Sequence, residues 1–334
     1  LPRIPRSLDT LVDITAWRAR EQPNDPAYIF LSDGEQLEQR LSYAEFDRRV
    51  RRLASALGAR GLRGQRVLLV MNPGLDYNTA IFACMYAGAV AVPIYPPDPF
   101  RAHRMLPRLQ AVVRDAEAAL VLCQEEILEW AGAMIESTCG TTTLAIERAS
   151  AGGTLDWEPP MPDPDGVALL QYTSGSTGSP KGVVLTHRNL MHNLASLHRL
   201  DKPGAVIVSW LPPYHDMGLI GCVLAPIHSG RLGVLMSPLA FVQRPVRWLS
   251  AISRYRASTS AAPNFGYDLC LRKIRPAECE GLDLSCWCVA VNGAEPVQAE
   301  TLERFTERFG PYGFRRETFC PAFGMAESTL LVAS

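Results

Sequence analysis

The chain has 334 residues, with 33 Lys and Arg against 34 Asp and Glu and a formal charge of −1, a balance that excludes a broadly basic nucleic-acid binder. At 47% hydrophobic, 8% aromatic and 20% charged, with 26 Pro and 25 Gly, the composition is globular and not disordered or fibrous. The length gives room for about two ordinary domains, because single cores stop growing near ~250–300 residues.

In chain order, Ser42 and Glu45 form a capping-box pair, after which Phe46, Val50, Leu53, Ala54 and Leu57 recur at helical spacing until Gly61. Arg66 to Met71 is a near-continuous apolar run, the pattern of a strand covered on both faces in a parallel sheet. The couplet repeats: a helix at Leu75 to Ala87 with a strand at Ala89 to Tyr95, then a helix at Met105 to Ala116 with a strand at Ala119 to Cys123. The uncharged stretch Tyr77 to Pro97 is broken by Gly88, Pro93, Pro96 and Pro97, so it reads as a buried helix feeding a buried strand and not as a membrane span. Residues 149–165 are rich in Gly, Pro and acid and mark a surface connection. Strands follow at Val167 to Tyr172 and Val183 to Leu185, a helix at His187 to Leu200, a strand at Ala205 to Trp210, and further helix–strand pairs up to Phe323. This alternation predicts an α/β fold with right-handed crossovers. Nine cysteines without framework spacing predict reduced, buried thiols, with Cys286 and Cys288 on one face of a strand.

The strongest local signal is Y-T-S-G-S-T-G-S-P-K-G at Tyr172 to Gly182. Its glycines let backbone approach an anion. Thr173, Ser174, Ser176 and Thr177 supply hydroxyls, and Lys181 supplies a cation, so the segment reads as a nucleotide-phosphate loop. It leads into a strand and not a helix, which separates it from a Walker loop, and two flanking buried strands argue against a flexible linker. His215 and Asp216 fall in a turn after a strand; adjacent side chains rarely face each other, and no G-x-S-x-G elbow occurs. His215 either lines a site or caps a helix starting near Met217. A strand at Cys286 to Val291 delivers Asn292, Gly293, Ala294 and Glu295 at its carboxyl end, where ligands bind in open parallel sheets, and Gly293 and Ala294 are small enough for a flat base to lie on them.

Taken in order, Tyr172–Gly182, W-L-P-P-Y-H-D-M-G-L-I-G from Trp210, S-A-A-P-N-F-G-Y-D-L-C from Ser260, N-G-A-E-P-V from Asn292 and F-G-M-A-E-S-T-L from Phe323 resemble the adenylate-forming superfamily, and most closely its fatty acyl-AMP ligases. The resemblance runs from about Leu8 to Ser334 and implies the large N-terminal domain of those enzymes: two stacked α/β lobes with largely parallel sheets, layered αβαβα. The lobes expected are 66–203, carrying the phosphate loop, and 7–65 with 204–334, carrying the acyl and adenine sites. A β-barrel lobe and a C-terminal domain with the catalytic lysine and the ribose-binding Asp are expected mostly beyond Ser334. Lys181, Lys202 and Lys273, the only lysines present, do not take that lysine's role.

The resemblance implies that residues Thr173, Ser174, Gly175, Ser176, Thr177, Gly178 and Lys181 bind phosphates, and that Asn292 to Glu295 with Phe323, Gly324 and Met325 bind adenosine. The wider superfamily more often has Tyr at the Phe323 position. His215, Asp216, Asn264 and Phe265 would line the acyl and pantetheine path; for Phe265 and Tyr267 a core role is equally open. Ala326 occupies the phosphate-contact position where Thr is common. Glu327 would hold Mg²⁺, its other reading being a solvated carboxylate favoured by a helix start. The activity implied is that of a cytoplasmic ligase using ATP and Mg²⁺ to convert a fatty acid to acyl-AMP for an acyl carrier protein, with weak adenylation by this stretch alone. A fatty acyl-CoA synthetase using CoA, and a non-catalytic binding module of the same fold, are the alternatives; no nucleic-acid partner is expected.

Overall fold

The computed structural model describes residues 4–5, 7–97, 102–173, 180–200 and 205–334. Contacts divide the chain into two compact units, one of residues 4–23 and 43–191 and the other of residues 1–3, 24–42 and 192–334. The segments 7–23 and 43–65, expected with the acyl and adenine lobe, thus pack in the same unit as Thr173 and Lys181.

In that unit a six-stranded sheet runs in the order Thr143–Ala145, Leu120–Cys123, Arg66–Val70, Val90–Ile94, Val167–Thr173, Lys181–Thr186. All neighbours are parallel except the last pair, an antiparallel hairpin. The run at 66–70 is central, and Val67 to Val70 are wholly buried, as a strand covered on both faces requires. The helix Tyr43–Gly58 turns Phe46, Val50, Leu53, Ala54 and Leu57 inward, the periodic set read from the sequence. A helix at Leu11–Glu21, opened by a capping box between Thr10 and Asp13, and a helix at Glu125–Cys139 add to the elements predicted from the sequence.

The other unit holds a seven-stranded sheet in the order Phe319–Pro321, Val289–Asn292, Thr259–Ala262, Val206–Ser209, Leu232–Met236, Pro26–Leu31, Glu38–Ser42. It too is parallel except for its final antiparallel edge. A fully buried aromatic cluster supports one end of this sheet: Trp248 meets Tyr267 and Trp287, and Phe305 meets the same two rings, edge to face at 5.2–6.3 Å, while Tyr267 and Trp287 stack at 6.4 Å.

Two expectations are corrected here. The strand predicted from Cys286 begins only at Val289: a turn spanning Leu284–Trp287, closed by the Trp287 N–H on the Leu284 carbonyl, precedes it, the Cys288 N–H bonds the Ser258 carbonyl, and the Cys286 and Cys288 thiols face backbone carbonyls. All nine cysteines are free, as expected, but Cys139, Cys286, Cys288 and Cys320 are only half-buried; burial pushes the Cys84 thiol up to about 12. Among the described residues no helix is long and apolar enough to cross a membrane.

Candidate active site

The strand Val206–Ser209 ends at Trp210, and the chain then folds tightly back: the His215 N–H bonds the Pro212 carbonyl and the Leu219 N–H bonds that of His215. Only glycine fits at 218, where a Cβ would lie 2.1 Å from the Pro212 carbonyl oxygen. This turn brings neighbouring side chains together, contrary to the expectation that they would diverge. His215 Nδ1 lies 2.7 Å from Asp216 Oδ1, whereas its contact with the Met217 N–H is long at 3.4 Å, so we read Nδ1 as donating to the carboxylate. The Asp216 carboxylate raises the His215 pKa above the usual imidazole value. His215 also occupies the N-cap of the short helix Asp216–Gly218, so the capping position and the cavity wall described below fall on one residue. A π-helical turn, Leu219–Leu224, follows; such turns concentrate at functional sites.

The second wall is the end of the strand Val289–Asn292. Gly293 lies against the next strand so closely that a Cβ would be 2.7 Å from the Ala322 carbonyl oxygen, and Ala294 is held at φ +65°, a conformation alanine avoids. Glu295 Oε1 accepts the Phe265 N–H at 2.5 Å, capping the helix Asn264–Lys273. Beyond Ala322, Phe323–Gly324 pairs antiparallel with Leu331–Ala333. Gly324 again admits no side chain, its Cβ position being 2.2 Å from the Leu330 carbonyl oxygen. Asn193 clamps this ribbon by donating to the carbonyls of Ser328 and Leu331 and accepting the Leu331 N–H. Phe323 is 58% exposed, its ring face open for stacking, and Met325 is exposed beside it.

These walls enclose a cavity of about 190 Å³ lined by His215, Asp216, Gly293, Ala294, Phe323 and Gly324 among others. An almost wholly apolar pocket of about 70 Å³ adjoins it, sharing Leu197, Met217, Val291 and Leu330, and reaches Ile207, Cys222 and Ala225 along the π-helical turn. Two pockets, one bordered by small residues and an exposed ring and the other almost wholly apolar, therefore share one wall.

Several sequence-predicted residues of this unit sit apart from the cavity lining: Asn264, Phe265, Tyr267, Asn292, Glu295, Met325, Ala326 and Glu327. Asn264 is buried and bonded on every side, Phe265 is half-exposed and edge-on to Trp210, and Tyr267 lies in the core with its hydroxyl on the Val291 carbonyl. Ala326 is buried at the start of a 3₁₀ turn, and Glu327 on the same turn is exposed. Among the described residues no three His, Cys, Asp or Glu side chains converge as a metal cage. An exposed single carboxylate fits a hard cation held mainly by phosphate oxygens and water.

In the other unit Thr173 and Lys181 pair across the hairpin base, with Lys181 exposed; Ser174, Gly175, Ser176, Thr177 and Gly178 lie outside the described residues. The strand Lys181–Thr186 is an edge, with Val184 55% exposed and only Leu185 buried, and not the buried strand expected. Tyr172 packs on Gly182, whose Cβ position would be 3.0 Å from the ring, and donates its hydroxyl to Asp115 Oδ2 at 2.5 Å. Burial and the Asp115 charge hold this phenol well above its usual range. Asp115 and Asn193 carry no local sequence signal, since each bonds a partner distant in sequence.

The sequence profile described as AMP-binding enzyme matches residues 15–334. The chain is 41% identical over 331 residues to the medium-chain-fatty-acid–[acyl-carrier-protein] ligase JamA of Moorena producens, covering 97% of this chain and 56% of that protein. It is 33% identical over 346 residues to a 4-hydroxyphenylalkanoate adenylyltransferase of Mycobacterium tuberculosis, covering 99% of this chain and 55% of the relative. Among solved structures, the fatty acyl-adenylate ligase of L. pneumophila in complex with acyl adenylate and pyrophosphate superposes with a TM-score of 0.90 at 40% identity, covering 98% of this chain and 57% of that one. The fold matches the N-terminal domain of adenylate-forming enzymes, and the chain spans a little over half the length of these relatives.

Proposed function

The chain belongs to the AMP-binding enzyme family, and from that membership we propose that it activates a fatty acid with ATP, releasing pyrophosphate and forming acyl-AMP for transfer to the phosphopantetheine thiol of an acyl carrier protein. The observation that carries this reading is a pair of adjacent pockets sharing one wall: one bordered by Gly293, Ala294, Phe323 and Gly324, the other almost wholly apolar beside Ile207 and Ala225. A base stacked on Phe323 and the 293–294 backbone leaves its acyl substituent the apolar pocket as the place to bury.

In the proposed reaction a carboxylate oxygen of the fatty acid attacks the α-phosphorus in line, and the bond to the pyrophosphate oxygen breaks. The Lys181 cation and the hydroxyl-rich loop from Thr173 bind the departing phosphates, and Glu327 would hold Mg²⁺, which supplies charge neutralisation on the phosphate oxygens. The Asp216-bound His215, cationic below its raised pKa, offers a positive edge to the reacting carboxylate. Ala326 leaves the phosphate-contact position without a hydroxyl. The chain alone is proposed to adenylate weakly, and the site roles of Asn292, Glu295 and Met325 toward adenosine stand as proposals with the rest.

The test is fatty-acid-dependent pyrophosphate release, followed by offering the acyl-AMP to a phosphopantetheinylated carrier or to CoA. Carrier acylation is expected; acylation of CoA alone would redirect the assignment to a CoA ligase, and no fatty-acid dependence would refute it.

A further inference from the structure

One buried amide ties together three elements around the cavity. Asn264, 4% exposed, opens the helix Asn264–Lys273. Its Oδ1 accepts the Gln298 N–H at 3.1 Å and an Asn292 Nδ2 hydrogen at 3.3 Å, and its Nδ2 donates to Thr301 Oγ1 at 3.2 Å. Because a backbone N–H can only donate, the Gln298 contact fixes which way the Asn264 amide faces, and that in turn fixes the Asn292 amide. Both ends of the Asn264 side chain are therefore committed.

The tie is reciprocal. Gln298 is the N-cap of the helix Ala299–Phe309 and receives no cap from its own side chain, so Asn264 supplies one from another helix. In return Glu295, from the loop between, caps the helix that Asn264 begins. The loop held at both ends carries Gly293 and Ala294 on the cavity wall, with Ala294 in a left-handed conformation that persists only where surroundings over-determine it. Asn264 itself is not among the residues lining the cavity.

We propose that Asn264 is a positioning residue for the nucleotide: it sets the 292–298 loop that forms the adenine wall and does not touch the acyl chain. The inference rests on the adenylation reading and assigns a role within that same site.

Three variants separate this from an acyl contact or a merely structural role. Asn264→Ala strands one backbone donor and two side-chain groups and is expected to weaken ATP binding about tenfold, leaving the KM for fatty acid and the chain-length preference unchanged. Asn264→Asp keeps the acceptor for Gln298 and Asn292, and the Thr301 hydroxyl can turn to donate, so ATP affinity returns to within about threefold of the parent. Thr301→Val removes a single bond and costs about threefold, serving where the alanine variant does not fold. Hydrogen exchange adds a readout independent of catalysis: amides of 293–299 lose protection in Asn264→Ala while the rest of the protein keeps it. A shift in fatty-acid KM or chain-length preference with ATP binding intact would overturn the proposal, as would unchanged exchange at 293–299. If the parent protein binds no ATP, the adenylation reading falls, and the exchange experiment still decides whether the strut holds the loop.

Discussion

The wall proposed for adenine and the hairpin proposed to bind phosphates are built in opposite ways. At the wall, Gly218, Gly293 and Gly324 sit where an added methyl would meet a backbone carbonyl at 2.1–2.7 Å, and Asn264, Glu295 and Asn193 tie the loops from both sides. At the hairpin, Lys181 and Val184 are exposed, and the one tyrosine that pins its base lies over a glycine whose Cβ would meet a ring instead of backbone. In the proposed reading a flat base is recognised by shape, which demands walls fixed in advance, whereas phosphates are gripped by charge and backbone N–H groups.

The sharpest way to break this contrast is to add a methyl to each region. Gly218→Ala and Gly324→Ala force backbone apart and are expected to cost about 3 kcal/mol by urea denaturation, with loss of adenylate binding. Gly182→Ala only displaces the Tyr172 ring, and about 1 kcal/mol is expected. Equal costs would show that the hairpin is as tightly built as the wall.

Next in size are the ligand contacts. Lys181→Gln is expected to weaken ATP binding about tenfold with an unchanged unfolding midpoint, because the side chain is exposed and its proposed role is to bind the anion. Phe323→Ala should weaken an adenylate by a similar factor, about 1.4 kcal/mol, through lost stacking. Titration of both variants by calorimetry checks the pair; a lower melting point for Lys181→Gln would mean that the lysine holds the fold. Tyr172→Phe keeps the ring on Gly182 and loses the Asp115 bond, and about 1 kcal/mol or less is expected in stability, with ATP affinity following it down.

The smallest effect is the pH response of His215. Its pKa is raised by Asp216, so the stabilising pair is complete below the unfolded imidazole value near 6.5 and is lost as pH rises through the folded pKa. With half the imidazole exposed, the stability change across that window is expected to be only a few tenths of a kcal/mol. Ring NMR titration is the clearer readout: Asp216→Asn should lower the His215 midpoint, and an unchanged midpoint would dissolve the pair.

Local pattern carried the central elements. Arg66–Val70 is apolar throughout and buried on both faces, and the helix Tyr43–Gly58 shows its inward stripe residue by residue. What escaped depends on distant partners. The strand Pro26–Leu31 pairs with Leu232–Met236, some two hundred residues away, and its neighbour Glu38–Ser42 is a polar edge with no apolar alternation to betray it. Val183, Val184 and Leu185 look buried as a run, yet an edge strand needs only one of them inside. Cys286 to Cys288 look strand-like because Trp287 is core, although that burial comes from aromatic packing and not from the sheet. For the candidate site, motif residues His215, Asp216, Gly293, Ala294, Phe323 and Gly324 line one cavity, but the His215–Asp216 contact follows from a turn whose closure depends on Gly218, and the strut through Asn264 joins residues 28–37 positions apart.

The central claim is that the cavity beside Phe323 and the adjoining apolar pocket together hold an acyl adenylate. Calorimetric titration of the folded protein with a non-hydrolysable acyl-AMP analogue tests it directly, comparing a medium-chain acyl group with acetyl. The account predicts saturable one-to-one binding that weakens sharply for the acetyl analogue and falls about tenfold in Phe323→Ala. Equal affinity for the two acyl lengths, or no binding by the folded protein, would contradict it.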